Sequence, residues 1–287
     1  MNTIAESHVI PQPTLKPQID IDQILKESKE QALSDIKYLK EVDRIKIFLS
    51  NVKNTKTSDI DFIDKANAES VPFIDQLFDC SQVLEDNMCQ FSDCLWGISD
   101  DILSSVRVID GSANVSDYSG LVYVLKQGDL LVRYDSGVGA VGYLTKSGSR
   151  SKRYSEKYIS TCENINYKII GIDNLSLNKD WLFVADNFLS AIAIHHATGV
   201  MTIAIPFLDQ GLLMQLKDQY SEKRIMIFGD SKDVAGEIES QGVCFTPSLN
   251  KCDGWAALRE ECFSKSDHKQ GLAMFKEHLR QAMRSAM

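Results

Sequence analysis

Four aspartates stand just beyond short apolar runs in the second half of the chain. Asp186 follows WLFVA, Asp230 and Asp233 follow RIMIF, and Asp253 lies past GVCFTP. In an open parallel sheet, ligands bind at the carboxyl ends of the strands. Three successive loops would then gather four carboxylates at one edge. Carboxylates so close repel and raise one another's pKa unless a cation neutralises them. Mg2+, a hard ion that takes oxygen ligands, is the natural cation, and phosphates are its natural third party. Aspartate is also a common helix cap in such loops, so spacing alone leaves both readings open.

A second group is cationic. Lys146, Arg150, Lys152, Arg153 and Lys157 lie within twelve residues, with Tyr154 and one acid, Glu156, between them and Tyr158 directly after. The pattern suits either a solvated turn or a phosphate-contacting patch with stacking platforms. Three other motifs carry less. Gly137, Gly139 and Gly142 match G-x-G-x-x-G, but Tyr143-Leu144-Thr145 and another glycine turn follow where a dinucleotide site needs a helix, so a glycine-rich hairpin is expected. His195 and His196 are adjacent, point about 100° apart on a helix and cannot share one ion as an i, i+4 pair can. One packed and one solvated histidine are expected. Seven cysteines (80, 89, 94, 162, 244, 252, 262) contain no C-x-x-C pair. Cys80, Cys89 and Cys94 would need a fourth ligand to hold zinc. Buried free thiols are expected instead, and no zinc.

These groups need elements to position them. Residues 1–19 carry Pro11, Pro13 and Pro17 and read as a disordered tail. From residue 20 to 52, apolar groups recur every three or four residues, and a second helical stretch starts near Ser58, so residues 20–110 read as an acidic helical region. Residues 111–180 hold a β-meander: LVYVL, LLVRY and VGYLT, separated by QGD and DSG. From Trp181, strands and helices alternate: WLFVA, FLSAIAIHHATG, VMTIAIPF, DQGLLMQLKDQY, RIMIF, DVAGEIES and GVCFTP. That order predicts a parallel α/β core over residues 181–262 with right-handed crossovers. A helix over 263–287 closes the chain.

Composition agrees with a globular protein. Of 287 residues, 44% are hydrophobic and 25% charged, enough for two domains of ordinary size. There is no apolar run long enough to span a membrane and no secretory signal, so a cytoplasmic protein without membrane contact is expected. Charge is uneven. Residues 1–110 hold 11 Lys and Arg against 20 Asp and Glu, and residues 111–287 hold 20 against 20. The whole excess of −9 thus lies in the first part, which would repel a phosphate backbone. Nucleic-acid contact is expected from the remainder, and a protein partner at the acidic helices.

Residues 121–262 resemble the TOPRIM domain of primases encoded by phages, plasmids and other mobile elements. The meander LLVRYDSGVGAVGYLTKSGSRSKRY leads into FVADNFLSAIAIHHATG, similar to the family's v-V-E-G-f-a-T-A-l-S-I-h-e-A-T-G. IMIFGDSKD stands for I-x-I-a-x-D-n-D, and KCDGWAAL for g-x-D-f-N-D-L. The resemblance implies a TOPRIM-like parallel sheet with flanking helices, preceded by the meander and the acidic helical region. It also implies Mg2+-dependent nucleotidyl transfer on single-stranded DNA or RNA during replication of a mobile element, with Asp186 and Asp230 as catalytic residues, Asp186 being the acid/base, and with Asp230, Asp233 and Asp253 as metal ligands.

The chain departs from that pattern at three points. Asp186 stands where the family has Glu, one methylene shorter, and Asn187 where it has Gly. Catalytic groups must be placed to within about 0.5 Å, less than a methylene's reach. The D-x-D pair becomes Asp230-Ser231-Lys232, so Asp233 is displaced by one residue and Lys232 falls near the metal position. Asp253 is kept, but Trp255-Ala256 replaces the downstream N-D. Two further readings follow: a degenerate TOPRIM protein that binds without catalysis, and a Mg2+-dependent nuclease.

Overall fold

The computed structural model describes residues 21–51, 78, 81–83, 95–111, 113–117, 119–134, 137–145, 152–160, 167–171, 180–206, 208, 210–229, 243–246, 249 and 254–287. The expected tail, most of the second helical stretch and the helix expected at DVAGEIES lie outside those residues. Two compact units are formed, Met1–Glu41 and Val42–Met287. Helix α1 (Ile21–Asn51) follows the three-and-four spacing. In its second-unit part, Val42, Ile45 and Leu49 are buried, and Tyr167 Oη donates to the Lys46 carbonyl at 3.2 Å.

Two five-stranded sheets make the second unit. The first is antiparallel, in the order β1 (Gln82–Val83), β2 (Val106–Val108), β5 (Leu130–Arg133), β6 (Gly137–Thr145), β7 (Lys152–Ser160). A short helix α2 (Asp100–Leu103) precedes β2, and a hairpin of β3 (Ala113–Ser116) and β4 (Val122–Leu125) follows it. Gln82–Val83 is therefore strand within a stretch expected to be mostly helical.

The meander also divides differently from the expectation. LLVRY pairs with the glycine-rich strand β6 and LVYVL pairs with β3, leaving β2 to take the other edge of β5. The physical reason is burial. Val115 and Leu125 of the hairpin pack on Ile109, Leu131 and Ile159, so the hairpin covers a face of the sheet instead of extending it. The G-x-G-x-x-G run lies wholly in β6, paired with β7 from Gly137 opposite Ser160 to Thr145 opposite Lys152, as expected for a hairpin.

The second sheet has the order β12 (Val243–Phe245), β11 (Arg224–Phe228), β9 (Trp181–Ala185), β10 (Thr202–Ala204), β8 (Lys168–Ile170). The first four are parallel. β8 is antiparallel on the edge, a strand that the sequence reading missed because three residues carry too little periodicity. Helix α3 (Phe188–Thr198) links β9 to β10, and α4 (Gln210–Gln219) links β10 to β11. These crossovers step in opposite directions from the centre, so right-handedness puts the two helices on opposite faces. Strand alternation agrees. Phe183, Ala185, Met226 and Phe228 join α3, α5 (Trp255–Ser264) and α6 (His268–Ala286) in one core, while Leu182, Val184, Ile225 and Ile227 are buried outside that cluster.

Helix α3 is buried nearly all round, as a helix between a sheet and other helices must be. Gly199 ends it in the left-handed region at φ 70°, donating its N–H to the His195 carbonyl. A chain of edge-to-face aromatic contacts runs from Phe183 to Phe228 (5.1 Å), Trp255 (5.6 Å) and Phe275 (6.3 Å). It ties β9, β11, α5 and α6 together, each ring adding about 1.5–3 kcal/mol by burial.

Of the histidine pair, one ring is packed as expected, while the other is only partly exposed. His195 is buried, with Nδ1 2.9 Å from the Val200 carbonyl. His196 is partly buried between Gly97 and the fully buried Arg259, whose Nη2 donates to His196 Nδ1 at 3.2 Å. Arg259 also donates to the Trp96 carbonyl and lies 4.5 Å over the Phe263 ring. Burial first, then the positive charges of Arg259 and Lys276, lowers the His196 pKa from 6.5 to about 4. A depressed base binds fewer protons folded than unfolded between those values, so stability is lost as pH falls from 6.5 towards 4. His196→Gln should remove about 1–2 kcal/mol of that pH dependence, a figure reduced for the ring's partial exposure. Urea unfolding at several pH values checks this, and equal slopes in both proteins would contradict it.

Candidate functional site

The site begins where β9 ends. Ala185 is fully buried and pairs with Phe228, and Asp186 emerges partly exposed with its N–H 3.4 Å from the Phe228 carbonyl. The chain leaves β9 towards β10 but leaves β11 towards β12. The crevice of such a sheet opens where those directions diverge, at the carboxyl ends of β9 and β11. Asp186 stands at that point.

Gly229, the residue after β11, presses on it from the neighbouring strand. A Cβ at position 229 would lie 2.8 Å from Asp186 Oδ2 and 2.9 Å from its Cγ, closer than real contacts allow. Any side chain at position 229 would require the Asp186 carboxylate to shift from its present place. A side chain on the strand end would fill the volume that the carboxylate now occupies.

Asn187 does two things with one amide. Its Oδ1 accepts from the Ser190 N–H at 2.8 Å and caps α3, while its Nδ2 donates to Asp186 Oδ1 at 2.7 Å. The capping alternative for Asp186 is therefore not realised, because Asn187 is the cap and Asp186 remains directed to the rim. Helix α5 starts from Gly254, at φ +94°. A Cβ at position 254 would lie 3.6 Å from Ser190 Oγ and 4.0 Å from Asn187 Nδ2. The starts of the loops after β9 and β11 and of helix α5 thus meet at one edge.

The first sheet reaches the same edge through Tyr158. Its hydroxyl donates to the Asp186 carbonyl at 3.4 Å, and its ring stands edge-on to Tyr134 at 5.4 Å, which in turn meets Phe188 at 6.3 Å. The side chains of Lys152, Arg153 and Lys157 lie outside the described residues, as do Lys146 and Arg150 altogether. Asp230, Lys232, Asp233 and Asp253 also lie outside them. The structure therefore places Asp186 and Asn187 at the rim, together with the immediate neighbours of Asp230 and Asp253.

Ser190, Gly229, Gly254 and the rim contact of Tyr158 went unread in the sequence. A serine inside the apolar run FLSAIAI, and a glycine directly between strand RIMIF and its aspartate, are the signals that mark two of them. The donor set at Asp186 is a carboxylate, which suits a hard cation such as Mg2+. Gly229 itself adds no side chain beside Oδ2.

No protein-family model matches the chain, and no curated protein matches its sequence. Among solved structures, the zinc-binding and RNA polymerase domains of the Aquifex aeolicus primase are similar at a TM-score of 0.46 and 13% identity. The likeness covers 80% of this chain and 63% of that one, so this chain spans less than two thirds of the primase structure.

Replacing Asn187 by Ala should cost about 1 kcal/mol through loss of the cap, and Asn187→Ser should recover most of it. Urea denaturation of the three proteins decides the point. Unchanged stability in the Ala variant would contradict the assignment.

Proposed function

We propose that the protein is a TOPRIM-like, primase-type protein of a mobile element that binds Mg2+ and nucleic acid at the carboxylate rim. The observation that carries this is the meeting of Asp186, Gly229 and Gly254 at the switch point of a parallel sheet. Asp230 and Asp253 adjoin those glycines in sequence, and with Asp233 they are the residues that would hold the ion. The basic residues Lys146, Arg150, Lys152, Arg153 and Lys157 would follow a single-stranded DNA or RNA backbone, and the acidic helical region would engage a protein partner in the cytoplasm.

In nucleotidyl transfer, the 3′-oxygen of one nucleotide bonds to the α-phosphorus of a nucleoside triphosphate as the bond to pyrophosphate breaks. Bound Mg2+ would stabilise charge on the attacking and leaving oxygens. Asp186 would accept the proton of the attacking hydroxyl.

A second reading, binding without catalysis, is favoured by one contact. Asp186 Oδ1 is held by the Asn187 amide, which occupies one oxygen of a carboxylate already a methylene short of the family's Glu. The third reading, a Mg2+-dependent nuclease, uses the same carboxylates.

Isothermal titration tests the shared claim. The intact chain should bind Mg2+, and Asp230→Asn should weaken binding by about tenfold or more. A chain that takes up no Mg2+ at millimolar concentration would overturn the metal-binding claim. With binding established, primer synthesis from labelled ribonucleotides on a single-stranded template marks a primase, template cleavage marks a nuclease, and neither marks the binding protein.

A further inference from the structure

The rim has an anion-binding feature beside its carboxylates. Helix α5 runs ten residues from Trp255 and starts from a glycine that offers no side-chain cap. Its first intrahelical bond is Leu258 N–H to the Gly254 carbonyl, so the N–H groups of Trp255, Ala256 and Ala257 point out of its first turn. Such a terminus carries partial positive charge and aligned donors.

A second observation points to the same place. Ser190 is 1% exposed, and its Oγ has no hydrogen-bond partner among the described residues. Leaving a buried hydroxyl unsatisfied is costly. That hydroxyl faces the start of α5, being the nearest atom to a Cβ built at Gly254. Asn187 Nδ2 stands at 4.0 Å from the same point, with one of its hydrogens already given to Asp186. Asp186, Asn187, Gly229 and Gly254 are each partly exposed, whereas Ser190 is buried.

We propose that the start of α5, with the Ser190 hydroxyl beneath it and the Asn187 amide beside it, binds a phosphate group. The inference deepens the reading of the rim as a nucleic-acid site and rests on it only for the source of the phosphate, a nucleotide tail or a polynucleotide backbone. Asp186 puts negative charge on the same edge. Binding is therefore expected in the millimolar range without a cation and should tighten when Mg2+ is added.

The test is a backbone-amide NMR titration of the full chain with inorganic phosphate, first without Mg2+. Phosphate should shift the Trp255, Ala256 and Ala257 amides, and Ser190→Ala should weaken the response about tenfold, the worth of one hydrogen bond to a charged group. No shift at those amides in the wild-type chain would overturn the proposal without recourse to any variant. Equal affinity in a folded Ser190→Ala protein would overturn it too. Displacement by a single-stranded oligonucleotide assigns the phosphate to a polynucleotide, and displacement by pyrophosphate alone assigns it to a nucleotide tail. Displacement by neither, with shifts no larger than salt produces, leaves an adventitious ion only and overturns the proposal. Failure of Mg2+ to tighten binding would count against the metal at the rim and leave the phosphate site standing.

Discussion

At this rim the Asp186 carboxylate keeps its place because the facing residue of the neighbouring strand, Gly229, has no side chain. Gly229 lies so close to Asp186 that an added Cβ would fall 2.8 Å from the carboxylate. The approach follows from paired strands. Ala185 sits opposite Phe228, so the next residue of each strand must leave the sheet at the same level. Side by side, they cannot both carry side chains into the same volume. The sheet order then makes that edge a crevice, because the crossovers from β9 and β11 depart in opposite directions.

Asn187 turns that constraint into an oriented site. By capping α3 with its oxygen and holding Asp186 with its nitrogen, it couples a helix start to a carboxylate direction. Ser190, one turn on, is the polar residue that a helix buried on all sides can least tolerate unpartnered. The first sheet contributes through the Tyr158–Tyr134–Phe188 contacts, which bring strand β7 to the Asp186 carbonyl. Strand β7 carries part of the cationic run, so the fold brings its backbone to the carboxylate edge although the two lie far apart in sequence.

Much of the α/β core was legible in the sequence because its signals are local. WLFVA, RIMIF and GVCFTP are apolar runs of strand length, and HHATG closes a helix with a glycine whose φ is 70°. Strand partners were not legible. LVYVL and LLVRY look alike, yet one lies in a hairpin on the face of the sheet and the other pairs with β2 and β6, a choice made by the burial of Val115, Leu125 and Ile159. At the rim, Asp186 and Asn187 stood out by residue type, whereas Gly229, Gly254 and Ser190 matter through space that only the assembled sheet defines. The His195–His196 pair shows the same limit. Nothing local reveals that Arg259, from a helix more than sixty residues on, closes over His196.

The central claim is that carboxylates from separate loops share one divalent-ion site at the ends of β9 and β11. Paramagnetic broadening by Mn2+, substituted for Mg2+, measures it directly. The account predicts that the amides of Asp186, Gly229 and Gly254 broaden first and together, and recover when excess Mg2+ competes. Broadening centred elsewhere, or an Asp186 amide that stays sharp while Mn2+ binds, would contradict it.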